Sequence, residues 1–205
     1  MAKSLDELAE ACKKGDHVSC IALVGKGLQV NPDDPRVQAK AKEVFEAACK
    51  ARVWEGCAQL GEMYAFVKPP DMAKAKAFLD KACTNKDPLG CSDLGTLYEN
   101  GIGVTKDESK AAGLYRKGCD GGLVIACVNL GFVYSQGKGV KQDVDKAVAL
   151  YEKACDADEA KGCLNLGFVY QNGKGKITPD RMMSTKYFDR ACKLGDPQGC
   201  EAAKK

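Results

Sequence analysis

The chain has 205 residues, with 31 Lys and Arg against 28 Asp and Glu and a hydrophobic content of 45%. A net charge of +3 without any run of five or six like charges excludes the dense basic footprint of a nucleic-acid binder. No window of 18 apolar residues occurs, so no membrane span is expected.

Taken in chain order, Met1-Ala2-Lys3-Ser4-Leu5 lacks the apolar core of a signal peptide. Residues 1–39 read as a divergent N-terminal cap. Leu23-Val24 and Gly27 follow Cys20, and Asn31-Pro32-Asp33-Asp34-Pro35 stands where later segments carry a glycine loop. Residues 40–197 read as regular helix-pair units. Ala75 to Cys83, Ala111 to Cys119 and Ala147 to Cys155 are copies of one helix. In the last copy Ala147, Leu150, Tyr151 and Ala154 follow the i, i+3, i+4, i+7 spacing of an amphipathic face. Asp143 or Asp145 supplies acidic charge at its start. The other helix recurs as Leu60-Gly61 with Tyr64, Leu94-Gly95 with Tyr98, Leu130-Gly131 with Tyr134 and Leu166-Gly167 with Tyr170. Glycine segments beginning at Gly101, Gly137 and Gly173 end these helices. A recurrent Gly inside a helix costs about 1 kcal/mol against Ala, which points to close approach of a neighbouring helix. Residues 198–205 form a short polar end. One repeat domain over 1–205, of five to six helix pairs, is the expected organisation.

All twelve cysteines fall in pairs with seven residues between them: Cys12/Cys20, Cys49/Cys57, Cys83/Cys91, Cys119/Cys127, Cys155/Cys163 and Cys192/Cys200. Their first members recur at steps of 37, 34, 36, 36 and 37 residues. On one straight helix the two cysteines would lie about 12 Å apart, whereas a disulfide needs Cα atoms within about 7 Å. A disulfide within each pair therefore requires the chain to reverse between helices, as Asp120-Gly121-Gly122 and Gly195-Asp196-Pro197 permit. Twelve cysteines allow many connectivities, but the local one is the one that repeats with the sequence. Zinc ligation needs closer cysteine spacing, and His17 is the lone histidine. No Cys-x-x-Cys exists for thiol-disulfide catalysis. The expectation is structural disulfides, no metal and no cofactor. Such usage belongs to an oxidising compartment, so an export signal is expected to have been removed ahead of this sequence.

The pattern Ala-x3-Tyr-x-Lys-Ala-Cys followed by Gly-Cys-x-Asn-Leu-Gly-x2-Tyr-x2-Gly-x-Gly, quoted from residues 147–175, resembles the Sel1-like repeat, a relative of the tetratricopeptide repeat. The C-x7-C pairs resemble the secreted cysteine-rich Sel1-like proteins, the Helicobacter cysteine-rich family being the best known. The resemblance implies an all-α fold: a right-handed α-solenoid of antiparallel helix pairs with a concave face. It implies an adaptor for proteins or peptides and, for some Helicobacter-type members, penicillin binding or weak β-lactamase activity. It is compatible with a periplasmic or secreted bacterial protein, or with the mitochondrial intermembrane space.

Counted from the second cysteine of each pair, positions +2, +5 and +9 face away from the buried stripe. They are Gln59, Glu62, Phe66; Asp93, Thr96, Asn100; Asn129, Phe132, Gln136; and Asn165, Phe168, Asn172. The last nine are the candidate ligand groove. Amides both donate and accept, which suits a peptide backbone. In tetratricopeptide repeats an Asn at the place of Asn129 and Asn165 contacts peptide. The alternative is a bond to a neighbouring loop across the repeat interface. Phe132 and Phe168 read first as inter-repeat packing and second as apolar ligand contacts. Ser135-Gln136-Gly137-Lys138 matches Ser-x-x-Lys, but runs out of a helix into a glycine loop and lacks the companion motifs of penicillin-recognising enzymes. Coincidence is the preferred reading, and no catalytic residue is assigned. His17 reads as a surface residue and Trp54 as packing. The expected function is a monomeric, non-catalytic scaffold for a protein or peptide, with a weak β-lactamase as the alternative.

Overall fold

The computed structural model describes residues 35–66 and 69–204, with Glu7, Glu10, Ala11, Lys14 and Ser19 before them. Cys12, His17 and Cys20 lie outside the described residues. The regular structure among the described residues is helical. The helices are α1 (Pro35–Lys50), α2 (Trp54–Phe66), α3 (Met72–Thr84), α4 (Pro88–Asn100), α5 (Glu108–Asp120), α6 (Val124–Gln136), α7 (Val144–Asp156), α8 (Ala160–Asn172), α9 (Arg181–Lys193) and α10 (Pro197–Ala202). Among the described residues no helix is long and apolar enough to cross a membrane. The helices group into two compact units, Met1–Thr105 and Lys106–Lys205.

Most of the described helix starts share one residue type. Asp71, Asp87, Asp107, Asp143, Asp180 and Asp196 each cap a helix, accepting from the backbone N–H three residues on. Each such cap contributes about 1 kcal/mol. Asp143 is therefore the capping residue of α7, accepting from Lys146 N at 3.0 Å, while Asp145 pairs with Lys176 at 2.9 Å.

Among the described residues five disulfides join consecutive helices: Cys49–Cys57, Cys83–Cys91, Cys119–Cys127, Cys155–Cys163 and Cys192–Cys200. Their Cα atoms are 4.7, 4.4, 4.6, 4.6 and 4.4 Å apart. The chain reverses inside each nine-residue ring, and it does so the same way each time. The residue three positions after the first cysteine has positive φ: Arg52, Lys86, Gly122, Asp158 and Gly195, at 64°, 65°, 92°, 59° and 92°. Three of these are not glycine, so the turn is held left-handed against a local cost of about 1–2 kcal/mol.

Immediately before the cysteines the two helices touch through small residues. A methyl group placed on Gly56 would lie 2.6 Å from Ala48 Cβ, and one on Gly162 or Gly199 would lie 2.7 Å from the Cβ of Ala154 or Ala191. One turn further along, the Leu-Gly glycines admit a large side chain from the paired helix. Gly61 lies against Leu79, Gly131 against the Tyr151 ring, and Gly167 against Phe188. In the second unit Tyr151, Leu166 and Phe188 form the core with Val128, Val169 and Ala191. Phe188 is fully buried, a contribution of about 1.5–3 kcal/mol. The glycine loops lock onto the preceding helix pair. Gly139 (φ 64°) presses on the backbone of Glu108 and Ser109, and its carbonyl accepts from Ser109 Oγ at 2.7 Å.

Candidate functional site

In the second unit six candidate groove residues take two matching sets of positions on α6 and α8. Asn129 and Asn165 are half-buried at the head of each set, and Gln136 and Asn172 are exposed at its end. Asn172 Nδ2 donates to the Phe168 carbonyl at 2.9 Å, and Gln136 Nε2 donates to Ser135 Oγ at 3.0 Å. The side chains of Asn129 and Asn165 make no hydrogen bond among the described residues, whether to a loop across the repeat interface or elsewhere. Phe132 and Phe168 remain 40% and 38% exposed. Phe168 packs edge-on against Phe188 of the same helix pair, ring centroids 5.1 Å apart. The Lys138 ammonium stands over the Phe132 ring at 4.6 Å.

The first unit places Gln59, Glu62 and Phe66 on α2, and Asp93, Thr96 and Asn100 on α4. Gln59 is 6% exposed and belongs to the packed interior, whereas Phe66 is 76% exposed. Thr96 Oγ1 and Asn100 Nδ2 turn back onto their own helix, donating to the Ser92 and Thr96 carbonyls at 3.3 and 3.0 Å. Asp93 differs in kind. Its Oδ2 is buried with no hydrogen-bond partner among the described residues. Burial, and then the charges of Glu62 and Asp87, push its carboxyl up to about 7.

Ser135 has no room to act as a nucleophile. It is 4% exposed, donates to the Phe132 carbonyl at 2.9 Å and accepts from Gln136 at 3.0 Å. Gln142 donates to the Ser135 carbonyl at 2.8 Å. Trp54 opens α2 with the Lys81 ammonium 5.9 Å from its ring. No cluster of three or more metal-ligating side chains occurs among the described residues. An open cleft of about 870 Å³ in the second unit is lined by Arg116, Tyr134, Lys141, Asp143, Lys146 and Lys176 among others, and contains none of the groove candidates. Within it Lys146 pairs with Asp143 at 3.0 Å, and Arg116 donates to the Tyr134 hydroxyl at 2.6 Å.

The family model for the Sel1 repeat matches residues 54–87, 88–123, 124–159 and 160–196. The chain belongs to the Sel1 repeat family. A comparison with curated proteins found no significant match. Three of the similar solved structures are these. A Sel1 repeat protein from Oxalobacter formigenes is 20% identical, over 92% of this chain and 75% of that one, with a TM-score of 0.77. A protective antigen of uropathogenic Escherichia coli, c5321, is 22% identical over 97% of this chain with a TM-score of 0.75. This chain spans 43% of the length of that E. coli protein. Helicobacter pylori cysteine rich protein B is 31% identical, over 60% of this chain and 94% of that one, with a TM-score of 0.50. The first two likenesses show the fold.

In Sel1 terms each disulfide crosses a repeat boundary: Cys83 belongs to one repeat and Cys91 to the next, as do Cys119 and Cys127, and Cys155 and Cys163. Every repeat is thus covalently tied to its successor at the point where its second helix ends. Sequence reasoning identified Asp93 by register but missed its surroundings. Asp87 caps α4 through Gly90 N at 2.7 Å, with its own carboxyl raised chiefly by burial. Glu55 at the start of α2 is likewise raised by burial and by Asp87. The available signal was Asp93 standing where the next two Sel1 repeats carry Asn129 and Asn165.

Proposed function

We propose that this Sel1 repeat protein is a non-catalytic scaffold that binds an extended protein or peptide segment, in an oxidising compartment such as the periplasm or the exterior of a bacterium. One observation supports this reading above others. Asn129 and Asn165 are half-buried amides at equivalent positions of two repeats, unengaged within the described chain and each followed one turn later by an exposed phenylalanine. A half-buried amide without a partner forgoes hydrogen bonds that water meets only in part. An extended peptide backbone supplies both an acceptor and a donor, and Phe132 and Phe168 supply apolar contact beside them. The five disulfides support the compartment, because such bonds persist where thiols are not kept reduced. The buried and committed hydroxyl of Ser135 gives no support to β-lactam hydrolysis.

The test is a partner captured under non-reducing conditions and then titrated as a purified component. Asn129→Ala with Asn165→Ala is expected to weaken affinity at least tenfold, each lost hydrogen bond being worth about 0.5–1.5 kcal/mol. The melting temperature should stay unchanged, because neither amide supports the fold. Undiminished affinity in that double variant would remove the groove from the account.

A further inference from the structure

Half-buried Asp93 puts a carboxylate where the two following repeats have an amide, and the charges acting on it are all negative. Its Oδ2 is shut away from solvent and lacks a hydrogen-bond partner among the described residues. The charges that act on it are of the same sign: Glu62 from α2, and Asp87 at the cap of α4 itself. Glu55, also on α2, lies within the field of Asp87. The other helix packed on α4 is α3, and its cations are engaged elsewhere. Lys74 pairs with Asp71 at 2.9 Å, Lys76 pairs with Asp80, and Lys81 stands over the Trp54 ring. An ion held there without partner or counter-charge opposes folding, while the neutral acid has no charge to desolvate and an O–H to donate.

We propose that Asp93 is a proton switch within the first unit. The packing of α2 against α4 is held with Asp93 as the neutral acid, and losing that proton in mildly alkaline surroundings loosens it. The direction follows from linkage. Asp93 sits at about 7 in the folded chain, against about 3.9 for an unfolded aspartate. The folded state therefore binds the proton more tightly. Its stabilising effect is complete below about pH 4 and is lost as pH rises through about 7. The unfolding constant of the first unit should rise on the order of 10²-fold between pH 5 and pH 8. The second unit should lack this response. Its displaced carboxylates, Glu108 and Asp143, are shifted downward, by hydrogen bonds from the Lys106 side chain and the Lys146 backbone.

Trp54 is the single tryptophan and lies in the first unit, so its fluorescence reports that unit. Urea unfolding, with the disulfides intact, is followed at pH 5, 6, 7 and 8 for the natural chain and for Asp93→Asn. The substitution mimics the amide of the neighbouring repeats. The natural chain should lose stability across this range by the stated factor, and the variant should lose far less. Parallel pH profiles for the two proteins would overturn the proposal. Carbon-13 NMR of the Asp93 carboxyl in the folded natural chain reads the same quantity without any variant. A midpoint near 7 supports the switch, and a midpoint near 4 overturns it.

Discussion

Gly162→Ala tests whether the disulfide rings or the small residues beside them set the helix spacing. The added methyl would lie 2.7 Å from Ala154 Cβ, 2.8 Å from Cys155 N and 3.0 Å from Tyr151 O. Comfortable carbon contacts are about 3.5–4.0 Å, so α7 and α8 must part by nearly one ångström. The Cys155–Cys163 bridge, with Cα atoms 4.6 Å apart, resists that movement. Overpacking costs about 1–3 kcal/mol, and the better helix propensity of Ala returns about 1 kcal/mol. The net expectation is a loss of up to about 2 kcal/mol, with about 4–8 °C of melting temperature per kcal/mol for a unit this size. Thermal and urea unfolding by far-ultraviolet circular dichroism would measure it. Ala154→Gly should rescue the variant in part, because the chain contains the reversed pair. Gly118 precedes Cys119 and Ala126 precedes Cys127, and both are buried. The double variant should show a favourable coupling of about 1 kcal/mol or more. A stabilising Gly162→Ala, or strict additivity with Ala154→Gly, would refute small-residue contact as the spacer.

Lys86→Gly should stabilise the first unit by up to about 1 kcal/mol. It relieves a left-handed lysine (φ 65°), and glycine's larger unfolded-state entropy offsets part of the gain; the urea midpoint by Trp54 fluorescence checks this. Removing one bridge with Cys155→Ala and Cys163→Ala should cost about 2–3 kcal/mol on the loop-entropy account. Hydrogen exchange should then show the loss concentrated at the turn between α7 and α8. Ser135→Ala should lower stability by about 1–3 kcal/mol, because the Phe132 carbonyl and the Gln136 amide lose the hydroxyl they share. Neither that variant nor the natural chain is expected to turn over a chromogenic cephalosporin.

The helix pairs were legible because each copy repeats one apolar face and one stop signal, so noise in any one copy is averaged out. Ala147 to Cys155 and Gly162 to Tyr170 lie within α7 and α8 as their spacing indicated. The Leu-Gly glycines were legible for the same reason: Gly recurring in a helix carries a propensity cost that close packing offsets, and Tyr151 and Phe188 are what pack there. The aspartate caps were only partly read, since a lone Asp before a helix resembles any surface acid until the N–H it accepts from is seen. The left-handed turn at Lys86 and Asp158 was not legible. Lys gives no sign of positive φ and Asp only a weak one, and the conformation belongs to the helix end, where the Asp87 and Glu159 N–H groups donate back to the Ala82 and Ala154 carbonyls.

The sequence by itself determined the repeat, the helix pair and the register, because these depend on periodicity along one chain. The spacing of the cysteines required the chain to reverse between them for the same one-dimensional reason. Only the tertiary structure decided what surrounds the residues at that register. Asn129, Asn165 and Asp93 occupy equivalent places, yet two are unengaged amides and the third is a carboxyl crowded by Glu62 and Asp87. That distinction depends on burial and on charges arriving from another helix and from a cap. Desolvation and Coulomb forces act through space, and register along the chain does not encode them.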